Sequence, residues 1–137
     1  MSRTLHLSPA AWSPAAEAEL AKALRRSSLS VAELRQACES GRMRLWCVSA
    51  DAAHAVAGYY VTWVDSKAAG DELVIVAAAG RLPGIPLTRA VLPAIEALAA
   101  GGGCSSVRIH SIRQGMLKAL ARQGYAPAEI VYRKALA

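Results

Sequence analysis

Residues 80–86 form the part of the sequence best suited to bind an anion. The segment reads Gly-Arg-Leu-Pro-Gly-Ile-Pro, and two glycines and two prolines in seven positions exclude a regular helix or strand. An apolar run precedes it and a helical pattern follows, so its amides lie at the amino end of a helix, where anions are stabilised. Arg81 adds a fixed positive charge. The pattern predicts a phosphate site, although ordinary strand-to-helix connections share it.

The length and composition of the chain exclude several classes of protein. At 137 residues the chain is long enough for one domain, residues 1–137, with a sizeable core. Although 54% of the residues are hydrophobic, no run approaches the roughly 18 apolar residues of a membrane helix. The first residues also lack the apolar stretch of a signal peptide. We therefore expect a cytoplasmic protein with no membrane partner.

The charged residues and the cysteines favour neither a nucleic-acid surface nor a metal site. The formal net charge is +6, but the basic residues are scattered or lie toward helix ends, where lysine and arginine are ordinary. The cysteines are Cys38, Cys47 and Cys104, and none is paired with another cysteine or a histidine at the spacing of metal ligands. We expect reduced, buried thiols, no metal and no nucleic-acid partner.

The element that must position the loop is the apolar run over residues 73–79. This run does not alternate between apolar and polar positions, which is typical of a mid-sheet strand covered on both faces. After the loop, apolar residues recur at helical spacing from Leu87 until the glycines that begin at Gly101 end the pattern. Pro93 lies inside that pattern, where we expect it to kink the helix or separate its first turn.

The remaining patterns predict further strands and helices on both sides of this unit. Ser13 followed by Pro14, and Ser30 followed three residues later by Glu33, are typical of helix amino ends. Gly58 within a predicted strand indicates a bulge, a close approach of another backbone or a simple packing constraint. We expect strands over residues 4–7, 43–50, 57–63, 105–110 and 129–134, helices over 14–27 and 30–40, a polar loop over 65–70, and a helix that includes 116–121 and stops at 124.

The resulting order of elements, β-αα-βββ-α-β-α-β, resembles the GNAT family of acyl-CoA N-acyltransferases over nearly the whole chain. The phosphate loop of that family reads Gln or Arg, any two residues, Gly, any residue, and Gly or Ala. Arg81 and Gly84 match this form, whereas Pro86 stands in the last position. The resemblance implies an α/β fold whose mixed sheet has helices on both faces and splays between its fourth and fifth strands. The acyl-CoA would lie in that gap, with its pyrophosphate on the loop.

The resemblance also implies which residues bind the cofactor, acetyl-CoA or coenzyme A. They lie on the central strand, in the loop and at the start of the helix, and they are Val76, Ala77, Ala78, Arg81, Gly84, Ile85 and Leu87. Pro86 has no N–H to offer a phosphate, and a net hydrogen bond to a charged group is worth about 1.5–3 kcal/mol. We therefore expect binding that is weakened roughly ten- to a hundredfold.

The catalytic residues that the resemblance implies are Glu72 and His110. In the family the general base is often a glutamate on a strand that faces the cleft, and Glu72 lies beside the central strand. The alternative for Glu72 is a carboxylate at a solvated strand end with no catalytic role. His110 ends the strand across the expected gap and could titrate near neutral pH, or be structural. The family's tyrosine corresponds to Leu120, because Gly124 and Tyr125 match the Gly-Phe pair that follows it. Leucine cannot protonate a departing thiolate.

Two functions follow as the main alternatives, and a third, a nucleic-acid binder, rests on the net charge alone and predicts a steep dependence of binding on salt that the first two do not require. The chain is either an acyltransferase that moves an acetyl group from acetyl-CoA to an unidentified amine, or a non-catalytic GNAT-fold binding or structural module with a degenerate loop. The spacing of Arg113, Gly115, Leu120 and Gly124 is similar to that of GNAT-like proteins encoded by phages, which agrees with the second. The fold alone does not decide between them. The partners we expect are the amine acceptor and, as an option, a second copy in a homodimer.

Overall fold

The computed structural model describes residues 5–24, 29–50, 56–80, 87–109, 114–128 and 134–136. Their elements are, in chain order, β1 (Leu5–Pro9), α1 (Pro14–Ala23), α2 (Val31–Glu39), β2 (Arg44–Ala50), β3 (Val56–Lys67), β4 (Gly70–Gly80), α3 (Leu87–Gly101), β5 (Cys104–Ile109) and α4 (Gln114–Arg122). The strands form one mixed sheet in the order β1-β2-β3-β4-β5. Neighbours are antiparallel except β4 and β5, which are parallel. β4 therefore lies inside the sheet, as the apolar run predicts.

The first two helices begin at the serines that the sequence patterns indicate. The Ser13 hydroxyl accepts a hydrogen bond from the Ala16 amide at 3.1 Å, and the Ser30 hydroxyl accepts one from the Glu33 amide at 3.1 Å. These caps satisfy amides that the first helical turn leaves without a partner. After α2, Gly41 has a φ of 82°, a left-handed conformation that glycine adopts at little cost. The local patterns therefore account for both starts and for the end of α2.

The core occupies both faces of the sheet. The face covered by α3 and α4 contains the buried side chains of Trp46, Val48, Tyr60, Leu73, Ile75, Val91, Leu92, Ile95, Ala99 and Leu120. The face covered by α1 and α2 contains those of Ala16, Leu20, Leu24, Leu34, Leu45, Tyr59, Val61 and Ala77. β4 contributes to both sets, because side chains of a strand alternate between the two faces of its sheet. The expectation of helices on both faces is confirmed.

The polar segment over residues 65–70 is a hairpin and not a loop. β3 continues to Lys67 and β4 begins at Gly70, so the turn contains only Ala68 and Ala69. The prediction was wrong because polarity along the chain does not distinguish a loop from paired strands. The polar side chains here bond to one another across strands, as described below.

Pro93 does not divide α3. The helix covers Leu87–Gly101 as one element with Pro93 inside it, and this proline is exposed. An exposed position lets water bond to the carbonyl that a proline leaves free, which lowers the cost of keeping the helix continuous. Of the two expected effects, the separation of a first turn was therefore wrong, and the kink stays a prediction. The predicted strand over residues 129–134 lies outside the described residues except for its last position.

Candidate cofactor site

The candidate site begins at the end of the described pairing of β4 with β5. The two strands pair from Asp71 to Ile75 on β4 and from Cys104 to Ile109 on β5. β4 continues to Gly80, and within the described residues it has no partner on the β5 side beyond Ile75. The separation of the fourth and fifth strands that the resemblance implies stays a prediction, because residues 110–113, which follow β5, lie outside the described residues.

A β-bulge lies directly after the last described pair of β4 with β5. Thr62 of β3 is opposite Ile75 and Val61 is opposite Ala77, so Val76 has no register partner on β3. A bulge takes backbone groups of the extra residue out of the ladder and redirects the side chains. Val76 and Ala77 accordingly pack against the same core, under α1 and α2. Sequence reasoning missed this bulge because the run is apolar throughout and no glycine marks the position.

Three of the predicted cofactor-binding residues lie on the open part of β4. They are Val76, Ala77 and Ala78, and Ala78 packs on the face under α3. Leu87 is the first residue of α3, directly after the loop. The remaining predicted site residues lie outside the described residues; they are Arg81, Gly84, Ile85 and His110.

The carboxyl end of β4 is in close backbone contact with β3. Gly58 is opposite Gly80, and a Cβ atom at Gly80 would collide with the Ala57 carbonyl oxygen and with the Gly58 Cα. Gly80 also has a φ of 140°, which side-chain-bearing residues rarely adopt. The β2–β3 register shifts beside Gly58 as well, between Val48 and Ser49. Two interpretations of Gly58, the bulge and the close approach, are therefore confirmed.

Glu72 lies near the other end of β4, where β4 and β5 are paired. Its carboxylate accepts hydrogen bonds from the Lys67 ammonium at 2.9 Å, the Ser106 hydroxyl at 2.9 Å and the Arg108 guanidinium at 2.7 Å. Hydrogen bonds from Lys67 and Ser106, together with the charges of Lys67 and Arg108, hold the pKa of Glu72 below its usual value. Asp65 joins the group at 3.5 Å from Arg108. A carboxylate with a lowered pKa is a weaker base.

The role of Glu72 as a general base stays a prediction. The residue lies four positions before the bulge at Val76, about 13 Å along the strand, and its carboxylate is only 16% exposed. Both carboxylate oxygens already accept bonds from neighbouring strands. The sequence suggested a solvated strand end as the alternative, and the structure shows neither free solvation nor an open cleft at this carboxylate.

α4 and the residues after it pack on the face of the sheet under α3. Leu120, the position that corresponds to the family's tyrosine, is 7% exposed and belongs to the core under α3. The Tyr125 hydroxyl donates a hydrogen bond to the Glu96 carboxylate at 2.8 Å. Burial, and then this carboxylate, raise the pKa of Tyr125, so the phenol is protonated at neutral pH. Leu120 therefore has a packing role in this position.

The cysteines show no sign of chemistry of their own. Cys38, Cys47 and Cys104 are free, as expected, but they are partly buried and not fully so. Burial raises the pKa of the Cys38 and Cys47 thiols, which disfavours the reactive thiolate. Within the described residues no three His, Cys, Asp or Glu side chains are grouped to hold a metal ion. None of the described helices is long and apolar enough to span a membrane.

Another cleft, of about 610 Å³, lies beside the start of β2. Residues after β1, the end of α2 and the start of β2 line it, among them Trp12, Glu39, Met43 and Arg44. Arg44 is opposite Thr62 of β3, which is opposite Ile75 of β4, so the start of β2 is level with the middle of β4. Because β3 lies between β2 and β4 in the sheet, this cleft is separate from the edge of β4 that faces β5.

Solved structures of acetyltransferases share this fold. An acetyltransferase of Trypanosoma brucei has a TM-score of 0.63 at 16% identity, with 97% of this chain and 100% of that chain covered. Glucosamine-6-phosphate N-acetyltransferase of Arabidopsis thaliana gives 0.63 at 12% identity, covering 98% and 99%. A GNAT family acetyltransferase of Staphylococcus aureus gives 0.60 at 13% identity, covering 99% and 100%. No protein-family model and no curated protein sequence matches the chain.

These comparisons define the class of fold. The described strand order and the helices on both faces agree with the GNAT architecture over nearly the whole chain. The chain therefore has the GNAT fold, and the resemblance in the sequence is confirmed at the level of the fold. The further likeness to phage-encoded proteins stays a prediction.

Proposed function

We propose that the chain is a GNAT-fold acyltransferase that binds acetyl-CoA between β4 and β5 and transfers the acetyl group to an amine. One observation carries the proposal: within the described residues β4 has no partner on the β5 side after the bulge at Val76, and only the glycine- and proline-rich sequence of residues 81–86 lies between its end and α3. A bulge, a strand end and a helix amino end therefore follow one another closely along the chain.

The described residues fit such a cofactor. The pantetheine arm of coenzyme A carries amide groups, and an unpaired strand edge offers N–H and C=O groups to an extended partner. Ala77, Ala78 and Gly80 present small or absent side chains along that edge. In the loop, Arg81 and the amides before α3 would bind the pyrophosphate, since a helix amino end stabilises an anion.

Two of the remaining roles fall to residues of this chain. A bound acyl-CoA supplies a thioester whose carbonyl carbon is electrophilic. The Val76 N–H, at the bulge, would donate to the carbonyl oxygen and stabilise charge there. His110 follows β5 directly in the sequence and would accept the proton of the acceptor ammonium, because histidine is the most frequent general base in enzymes. Glu72 is the other candidate base, with its lowered pKa against it. The departing thiolate would take its proton from water, because Leu120 has none to give.

A non-catalytic binding or structural module is the second candidate. It is favoured by Leu120, because this side chain is buried in the core at the position of the family's proton-donating tyrosine. Pro86 removes one loop amide in addition. Both features lower the rate or affinity of a transferase, and neither affects a protein that only binds a partner.

Titration calorimetry with coenzyme A tests the proposal. We expect the wild type to bind weakly, Arg81→Ala to bind roughly tenfold more weakly, and Pro86→Gly to bind roughly tenfold more tightly because it restores an N–H. Pro86→Gly should also lose about 0.5–1 kcal/mol of stability through the more flexible unfolded chain. Arg35→Ala is the control, since Arg35 lies on α2 and contacts Glu39. If folded wild type and Pro86→Gly both fail to bind at millimolar coenzyme A, the non-catalytic function replaces this one.

A further inference from the structure

β3 extends past β2 at the end of the sheet that carries the β3–β4 turn. β2 begins at Arg44, which is opposite Thr62, whereas β3 continues to Lys67. On its other side β3 stays paired with β4 as far as Lys67, which is opposite Gly70. Within the described residues, residues 63–67 of β3 therefore have no strand partner on the β2 side, and they form an edge about 17 Å long. We call these residues the β3 edge.

The chain before β2 turns away from the β3 edge. Gly41 has a φ of 82°, and residues 41–43 do not belong to a strand. The Met43 amide donates its hydrogen bond to the Ala37 carbonyl of α2 at 3.0 Å. Both strand ends and the chain before β2 lie within the described residues, so the step from β2 to the β3 edge is observed directly.

The charged side chains of the β3 edge bond toward β4 and β5. Charges often prevent another chain from adding to a strand edge. Here the Lys67 ammonium donates a hydrogen bond to the Glu72 carboxylate at 2.9 Å, and the Arg108 guanidinium lies 3.5 Å from the Asp65 carboxylate. Val64 is 48% exposed. The edge therefore presents an exposed valine and the backbone groups of alternate residues, since the other residues bond to β4.

Two exposed arginines lie at and just before the start of β2, next to the β3 edge. The Arg44 guanidinium carbon is 5.5 Å from the centre of the Trp46 ring, and the Arg42 Nε donates a hydrogen bond to the Ser40 hydroxyl at 3.3 Å. Among the described residues, neither guanidinium is within 4.0 Å of a carboxylate oxygen. The formal net charge of the chain is +6. These charges favour an acidic partner and oppose a second copy of the chain at this place.

The direction of an added strand decides which of its ends meets Arg44. A strand antiparallel to β3 would run in the same direction as β2, so its carboxyl end would lie next to Arg44. A parallel strand would bring its amino end there. Antiparallel pairing is slightly more stable per residue, so we expect the acidic residues of the partner at the carboxyl end of its strand.

We propose that the β3 edge is a docking site for an extended acidic peptide of another protein, which adds as a strand antiparallel to β3. The peptide backbone bonds to residues 63–67, an apolar side chain contacts Val64, and acidic side chains pair with Arg44. Val64 is opposite Leu73, seven positions and about 23 Å before Gly80 along β4. Docking at this place does not require coenzyme A.

Fluorescence anisotropy with a labelled, amidated peptide of six residues tests the proposal. The peptide alternates threonine and valine over four residues and ends in two glutamates. We expect the wild type to bind it with a Kd below about 1 mM, and Val64→Lys and Arg44→Ala to bind it at least roughly threefold more weakly. Binding should weaken as the salt concentration rises. The peptide with the reversed sequence should bind more weakly, because it can bring its glutamates to Arg44 only as a parallel strand.

Val56→Lys and Arg35→Ala are the matched controls. Val56 is also an exposed valine of β3, at 53%, but it lies at the opposite end of the strand. Arg35 is an exposed arginine of α2 that pairs with Glu39, and its replacement removes the same charge as Arg44→Ala. Neither control should change the Kd of the peptide more than roughly twofold.

Hydrogen exchange and N-methylated peptides test whether the peptide adds as a strand. On binding, only every second amide of residues 63–67 should gain protection, because the others already bond to β4. One further peptide is methylated on its threonine nitrogens and another on its valine nitrogens. Only one of the two should lose binding, since alternate residues of an added strand face β3.

Any of five results would overturn the proposal. They are no binding at about 1 mM peptide, binding that salt does not weaken, equal losses in Val64→Lys and Val56→Lys, equal binding of the parent and both methylated peptides, and protection of residues 63–67 that rises with protein concentration without peptide. The last result would show that a second copy of the chain occupies the β3 edge. The methylated peptides are tested on the wild type, so this result does not depend on the folding of any variant.

Discussion

The substitution Gly80→Ala tests how the carboxyl end of β4 is held before the loop. The added Cβ would collide with two backbone atoms of β3, at Ala57 and Gly58, and backbone cannot move aside as a flexible side chain can. The φ of 140° costs about 1–3 kcal/mol for a residue with a side chain, and forced repacking costs about 1–3 kcal/mol more. We expect a loss of about 2–6 kcal/mol from a domain whose total stability is about 5–15 kcal/mol.

Urea unfolding at equilibrium measures this loss. Gly101→Ala is the control, since Gly101 is helical, has no positive φ, and a Cβ added there would meet no other atom within 4 Å. It should be neutral or stabilising by up to about 1 kcal/mol, because alanine favours a helix over glycine. A loss below about 1 kcal/mol for Gly80→Ala, or equal losses in both variants, would refute the close contact of β3 with β4. Coenzyme A affinity of Gly80→Ala should fall as well, because the loop starts at the displaced residue.

Three further predictions concern the interior and the ion pairs. Thr62→Val should lower the free energy of unfolding in urea by about 1–3 kcal/mol. The Trp46 indole N–H donates a hydrogen bond to the Thr62 hydroxyl at 2.9 Å, and valine would leave this N–H buried without a partner. A cost under about 0.5 kcal/mol would contradict this reasoning. Leu120→Tyr should cost about 1–3 kcal/mol through overpacking, and unchanged stability would mean that this position opens toward the gap. The pKa of Glu72 is lowered by folding, so its contribution to stability is complete above the unfolded value of about 4.3 and is lost as the pH falls through the folded value. Unfolding of wild type and Glu72→Gln from pH 7 to 3 should therefore converge at acid pH, and a constant difference would refute the ion-pair origin.

Much of the fold follows from local patterns. The serines before α1 and α2 cap the helices through contacts three residues away, and the uninterrupted apolar run of β4 reflects burial on both faces. The order of the described elements was predicted correctly for the same reason, since helical and strand periodicity are properties of neighbouring residues. The boundaries of the elements were predicted less well. In the hairpin between β3 and β4 the polar side chains contact one another across the strands, so their polarity does not mark a loop.

The candidate site depends on pairings that the sequence does not display. The bulge at Val76 exists because β3 and β4 differ in register by one residue on either side of it, and both strands are apolar there. The surroundings of Glu72 come from β3 and β5, with Arg108 lying 36 positions further along the chain. The sequence by itself determined the elements and the composition of the loop. Only the tertiary structure decided where β4 bulges against β3 and which charges meet at Glu72, because register joins residues that no local pattern relates.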